Sequence, residues 1–112
     1  MKITIDQLPP TTNASFKVGR GRFYQTQAYK DYKTLVRGKV KPAPVEGDVT
    51  MQVDFYIKRD CDIDGRLKCL LDALNGLAYE DDRQIVELVV TKNKVKKGEE
   101  CTVVQIDNLI PT

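Results

Sequence analysis

Val49 to Ile57 is the segment that leaves this chain least choice. Val49, Met51, Val53, Phe55 and Ile57 take every second position, with Thr50, Gln52, Asp54 and Tyr56 between them. Successive side chains of a strand point to opposite faces, so the alternation predicts a strand with one face in a core. The strand feeds straight into Asp60-Cys61-Asp62-Ile63-Asp64, and a helical pattern follows at once. Leu67, Leu70, Leu71 and Leu74 fall at i, i+3, i+4 and i+7, and Asn75-Gly76 supplies a stop. Carboxylates at alternate positions repel one another; a divalent cation with its preference for oxygen ligands offsets that repulsion. A second acidic cluster, Glu80-Asp81-Asp82, follows the same helix, so the two clusters read as halves of one site.

The remaining elements are placed by the same rules. Ile3 and Ile5 alternate with polar neighbours in a short first strand that Pro9 and Pro10 end. Thr11 to Gln25 reads as a turn-rich loop containing Lys17-Val18-Gly19-Arg20-Gly21-Arg22. Thr26 is suited to cap a helix running to about Arg37, with Tyr29, Tyr32 and Val36 on one face. Asp64 is suited to cap the second helix in the same way. Ile85 to Thr91 is apolar on both faces, and is expected to be covered on both, by a helix and by a partner subunit. Lys96 to Glu99 then turns the chain into a last strand, Cys101 to Ile106, expected to pair as a hairpin with the strand before it. The expected fold is a two-layer α/β (α+β) domain spanning residues 1–112: a mixed β-sheet of about four strands packed with two main helices, in the order β-α-β-α-β-β.

Composition narrows the chemistry. At 112 residues, 41% hydrophobic and 30% charged, the chain suits one globular domain with a modest core, to which dimerisation would add buried area. No run approaches the roughly eighteen apolar residues of a membrane span, and the N-terminus lacks the apolar core of a signal peptide. Cys61, Cys69 and Cys101 lack metal-ligand spacing, and their odd number favours reduced thiols, hence a cytoplasmic location. The absence of histidine removes the usual zinc site, the Ser-His-Asp arrangement and imidazole acid–base chemistry together. Chemistry here runs on carboxylates, lysines and bound water.

The net charge of +2 hides an uneven distribution: Lys17, Arg20 and Arg22, Lys58 and Arg59, and Lys92, Lys94, Lys96 and Lys97 surround the acidic clusters. A polyanion such as nucleic acid is attracted by the first and meets the second through bound cations. Asp60, Asp62 and Asp64 share one side of an extended segment, with Cys61 and Ile63 on the other, and Asp82 completes a ligand set if the helix returns the chain nearby. Lys68, one turn beyond Asp64, is placed to meet a phosphate. The same residues also have a plainer account: Asp64 as a helix cap, Asp62 as a surface residue, Asp81-Asp82 as a turn, and Lys68 in an i,i+4 pair worth about 0.3 kcal/mol.

Three blocks tip the balance. Asp62-Ile63-Asp64-Gly65-Arg66-Leu67-Lys68, Leu71-Asp72-Ala73-Leu74-Asn75-Gly76 and Tyr79-Glu80-Asp81-Asp82-Arg83-Gln84-Ile85 resemble the RusA-type Holliday junction resolvases, with a weaker likeness at Leu8-Pro9-Pro10 and Asn13. The resemblance covers most of the chain. It implies a metal-dependent, structure-selective endodeoxyribonuclease that resolves four-way DNA junctions by paired phosphodiester hydrolysis on opposing strands, as a homodimer using Mg²⁺, with Mn²⁺ as a substitute. It further implies Asp62, Asp64 and Asp82 as metal ligands, Lys68 as the catalytic lysine and Asp81 as a secondary acid; Asp60 is an additional acid outside the core motif, expected to influence local charge. Lys17, Arg20, Arg22, Lys94, Lys96 and Lys97 then hold DNA backbone. The chain departs from the family in carrying Gly65 where asparagine usually follows the second aspartate, which removes a side-chain hydrogen bond at the helix entrance. The alternative is a non-catalytic DNA-junction binding protein.

Overall fold

The computed structural model describes residues 1–11, 16–19, 22–59 and 64–109. Ile3 and Ile5 are buried and Lys2 and Thr4 exposed in β1 (Lys2–Ile5), as their alternation requires. Where the sequence suggested a loop, β2 (Phe16–Gly19) and β3 (Arg22–Gln25) pair antiparallel from Phe16 opposite Gln25 to Gly19 opposite Arg22. Strands of four residues are too short to show a period, so a sequence pattern does not distinguish them from a loop. Lys17 and Arg22 lie in its two strands; Arg20 is outside the described residues.

Thr26 caps α1 (Gln27–Lys39), its side-chain oxygen accepting from the Tyr29 N–H at 3.4 Å. The helix buries Tyr29, Tyr32 and Val36, the stripe its spacing predicts. β4 (Val49–Ile57) buries all five alternate apolar residues. α2 (Asp64–Leu74) ends one residue before Asn75, and Gly76 takes φ +81°, the left-handed conformation that a glycine adopts without strain. Its buried stripe is Cys69, Leu70, Ala73 and Leu74, while Leu67 and Leu71 are only partly covered. A short 3₁₀ turn, Asp82–Gln84, leads into β5 (Ile85–Lys94), and β6 (Cys101–Asn108) follows.

The main sheet runs β1-β6-β4-β5, with β4 parallel to β5 and antiparallel to β6. The expected hairpin between the last two strands is therefore replaced by a crossing: β5 and β6 flank β4 on opposite sides. β4 offers two long edges and a fully apolar face, so each strand gains more by pairing with it than with the other. Val95 donates to the Ile57 carbonyl at 2.8 Å as the chain passes the end of β4. β5 is left at the sheet edge among the described strands, with Val86 53%, Leu88 36% and Val89 47% exposed, so this single chain does not supply the expected cover on both faces.

Both helices contribute to the cluster that includes Val53, Phe55, Val104 and Ile106, which makes one buried layer between helices and sheet. The other sheet face is polar: Thr91 donates to Asp54 at 2.6 Å and Asn93 to Thr91 at 3.0 Å. Among the described residues no helix is long and apolar enough to cross a membrane. Phe55 is fully buried in the central strand. Phe55→Ala should cost about 3–5 kcal/mol in denaturant-unfolding stability, whereas Val89→Thr at the exposed edge should change it by less than about 0.5 kcal/mol.

Candidate metal and phosphodiester site

Parallel pairing of β4 with β5 decides where the acidic residues lie. α2 leaves the end of β4 at Ile57 and returns the chain to its start, where Val49 pairs with Ile85. Asp64 is the first residue of α2 and exposed, so it stands inside the helix where the sequence suggested the cap just before it. A carboxylate in a first turn still meets the positive end of the helix dipole. Asp60 and Asp62 lie outside the described residues. Asp82 follows the far end of α2. Lys68 and Asp72 lie between them on the helix, Lys68 Nζ standing 3.6 Å from Asp72 Oδ2.

The Asp81-Asp82 turn is held from both sides by Gln84, a residue not singled out from the sequence. Its Oε1 accepts from the backbone N–H groups of Glu80 at 2.8 Å and Asp81 at 3.0 Å. Its Nε2 donates to the carbonyls of Val45 at 2.7 Å and Gly47 at 2.8 Å. Asp81 Oδ1 accepts from the Arg83 N–H at 2.9 Å, and the Asp81 side chain also accepts from the Gln84 backbone N–H, so that Asp81 and Gln84 form a capping box. The signal was present: an acidic cap followed three residues later by glutamine is the sequence form of that box. What the sequence lacked was the segment 45–47, which the same side chain ties to the turn.

This clamp holds two neighbouring carboxylates in unequal states. The Arg83 N–H is the main influence holding Asp81 below the usual carboxylate range. Asp82 is raised, first by burial, then by its hydrogen bond to Asp81, the charge of Asp81 and that of Asp72; Lys68 opposes the shift. Asp82, Asp81, Asp72 and Lys68 thus share one electrostatic neighbourhood. A carboxylate whose negative form is disfavoured by other carboxylates is a fit partner for a hard divalent cation. Among the described residues, no three acidic, cysteine or histidine side chains converge as a metal-ligand group.

Tyr79 and Arg66 fix the helix that carries this neighbourhood. The buried Tyr79 hydroxyl donates to the Leu71 carbonyl at 2.8 Å, and Arg66 Nη1 donates to the Pro9 carbonyl at 2.6 Å. At the opposite end of the sheet, Ile57 pairs with Lys94, bringing exposed Lys58, Arg59, Lys94, Lys96 and Lys97 to the end from which α2 departs. Two basic runs separated in sequence become one basic end. Asp82→Asn removes a negative charge that the fold disfavours and should melt no lower than the unaltered protein. Gln84→Ala should lower stability by about 1–2 kcal/mol through its lost hydrogen bonds. Paired thermal melts at neutral pH check both; a clear loss in Asp82→Asn would contradict the electrostatics.

Comparison with known proteins places this arrangement in a family. Residues 7–107 match the family model described as Endodeoxyribonuclease RusA. A crossover junction endodeoxyribonuclease RusA of Shigella sonnei (strain Ss046) is 31% identical, covering 89% of this chain and 91% of the relative. The corresponding proteins of Enterobacteria phage 82 and Escherichia coli (strain K12) are 28% and 29% identical over the same shares. With the match running from β1's exit to the last strand, and so through both acidic clusters, the chain belongs to the endodeoxyribonuclease RusA family.

Proposed function

We propose that this protein is a Mg²⁺-dependent endonuclease, with Mn²⁺ as a substitute, that resolves four-way DNA junctions by paired hydrolysis on opposing strands. The names of its relatives, crossover junction endodeoxyribonucleases, support the reaction class. The observation that carries the reading to particular residues is Asp82, held by the Gln84 clamp in the field of Lys68 and Asp72. Asp62, Asp64 and Asp82 would hold the metal, with Asp60 and Asp81 as supporting acids. Bound there, a divalent ion supplies a water of lowered pKa and neutralises charge on the phosphate. Lys68 meets a non-bridging phosphate oxygen and stabilises charge as the leaving oxygen departs. Lys94, Lys96 and Lys97, with Lys17, Arg20 and Arg22, hold the DNA backbone and fix its register without reading bases.

A homodimer suits this chemistry, because two symmetric sites make two symmetric incisions. The exposed apolar residues of edge strand β5 support a second copy as their cover. The length of α2 favours assembly of each site across that dimer. Asp64 and Asp72 are eight residues apart on one helix, about 12 Å, and Asp82 follows that helix where the chain reaches the start of β4, whereas oxygens on one Mg²⁺ lie within about 4 Å of each other.

Asp64→Asn and Asp82→Asn should each abolish Mg²⁺-dependent nicking of a labelled four-way junction while keeping junction binding; normal cutting by either would remove that residue from the site. A mixture of the two variants, allowed to exchange subunits, should regain nicking, because one site of each mixed dimer then has both aspartates intact. Binding by the unaltered protein without paired nicks would instead favour the non-catalytic junction binder. Replacing Lys94, Lys96 and Lys97 together by alanine should reduce the salt slope of junction binding by about 5 to 6, because the homodimer then loses the three lysines from both subunits.

A further inference from the structure

Two buried tyrosines dock on α2, and they are satisfied differently. Tyr79 donates to a main-chain carbonyl, that of Leu71. Tyr29, from α1, donates to the side chain of Asp72, hydroxyl to Oδ2, at 3.1 Å. That same Oδ2 faces Lys68 Nζ at 3.6 Å. Tyr29 is 1% exposed and is covered by Lys33 Nζ, 5.1 Å from its ring centroid, so its hydroxyl is a fixed point. The Lys68 side chain, by contrast, is 60% exposed. A long exposed lysine carries much rotamer freedom, and an ordinary surface i,i+4 pair restrains it little. A carboxylate locked from below by a buried hydroxyl restrains it more, because one partner has already lost its freedom. The Asp72-Lys68 pair also lies beside the second acidic cluster, since both charges act on Asp82.

We propose that Asp72, anchored through Oδ2 by the Tyr29 hydroxyl, is a positioning residue that holds the Lys68 ammonium toward the scissile phosphate. This rests on the nuclease reading above, in which Lys68 meets that phosphate. Asp72 acts through Lys68 and touches neither DNA nor metal in this role. A purely structural partner for Tyr29 would need only an acceptor, as the Leu71 carbonyl provides for Tyr79; the negative charge of Asp72 is the part that serves Lys68.

Asp72→Asn separates the two roles, because the amide still offers an acceptor to Tyr29 but no longer attracts the ammonium. Single-turnover cutting of a labelled four-way junction in Mg²⁺, with enzyme in excess, should slow roughly tenfold to a hundredfold, the range that misplacing a reacting group produces. Junction Kd and melting temperature should stay near those of the unaltered protein. Tyr29→Phe should slow the same step less, and Asp72→Glu should recover part of the rate by restoring the charge. Lys68→Ala alone should lose roughly a hundredfold or more, and adding Asp72→Asn to it should change the rate by less than about twofold, since the two residues act as a unit. Unchanged cutting by Asp72→Asn, losses that multiply in the double variant, or a loss explained by weaker binding or unfolding would each overturn the positioning role while leaving the nuclease reading intact. Failure of the unaltered protein to cut in either Mg²⁺ or Mn²⁺ would overturn the nuclease reading and this role with it.

Discussion

Everything positioned in this molecule depends on the burial of one face of β4. Val49, Met51, Val53, Phe55 and Ile57 lie against the helices while both edges of the strand are paired, by β5 on one side and β6 on the other. A strand so used cannot slip by one residue without turning five apolar side chains to water, so its register is strongly specified. Because β5 pairs parallel, α2 has to carry the chain back along the sheet, and that return delivers Asp82 to the start of β4 rather than beside Asp64. The distribution of charge follows from a packing constraint.

The two ends of the sheet consequently differ in character. One collects Lys58, Arg59, Lys94, Lys96 and Lys97 at the entrance to α2; the other holds the Asp81-Asp82 turn against the segment before β4. Backbone phosphates are drawn to the first and repelled by the second unless a cation intervenes. The acidic end is tied to the segment before β4 by neutral hydrogen bonds through Gln84, Arg83 satisfies Asp81, and Asp82 is the carboxylate whose charge is disfavoured, by burial first and by its acidic neighbours next. A carboxylate perturbed in this way is commonly found at functional sites.

Much was legible in the chain itself. The period-two run of β4, the Thr26 cap of α1 and the Gly76 stop of α2 are local signals realised where local physics puts them, and the leucine spacing marks α2 as a helix although its buried stripe is turned toward Cys69 and Ala73, leaving Leu67 and Leu71 only partly covered. The β2–β3 hairpin escaped because four-residue strands carry too little periodicity. The expected hairpin of β5 with β6 is not formed, because a turn signal shows that the chain reverses, not which strand it then joins; only the competition for the edges of β4 settles that. Gln84 was visible as half of a capping box, but its second pair of hydrogen bonds reaches residues 45 and 47, far away in sequence.

By itself the sequence determined the types of element, the apolar faces, the absence of imidazole chemistry and the two acidic clusters flanking one helix, because each follows from spacing or composition over a few neighbouring residues. Tertiary structure alone decided that Asp82 comes to the start of β4 while Asp64 lies past its end, that separate lysine runs meet at one end of the sheet, and that a buried tyrosine of α1 reaches the carboxylate facing Lys68. Those outcomes depend on which strands share an edge and which helices share a face, and contacts between distant residues are chosen by the packing of the whole core.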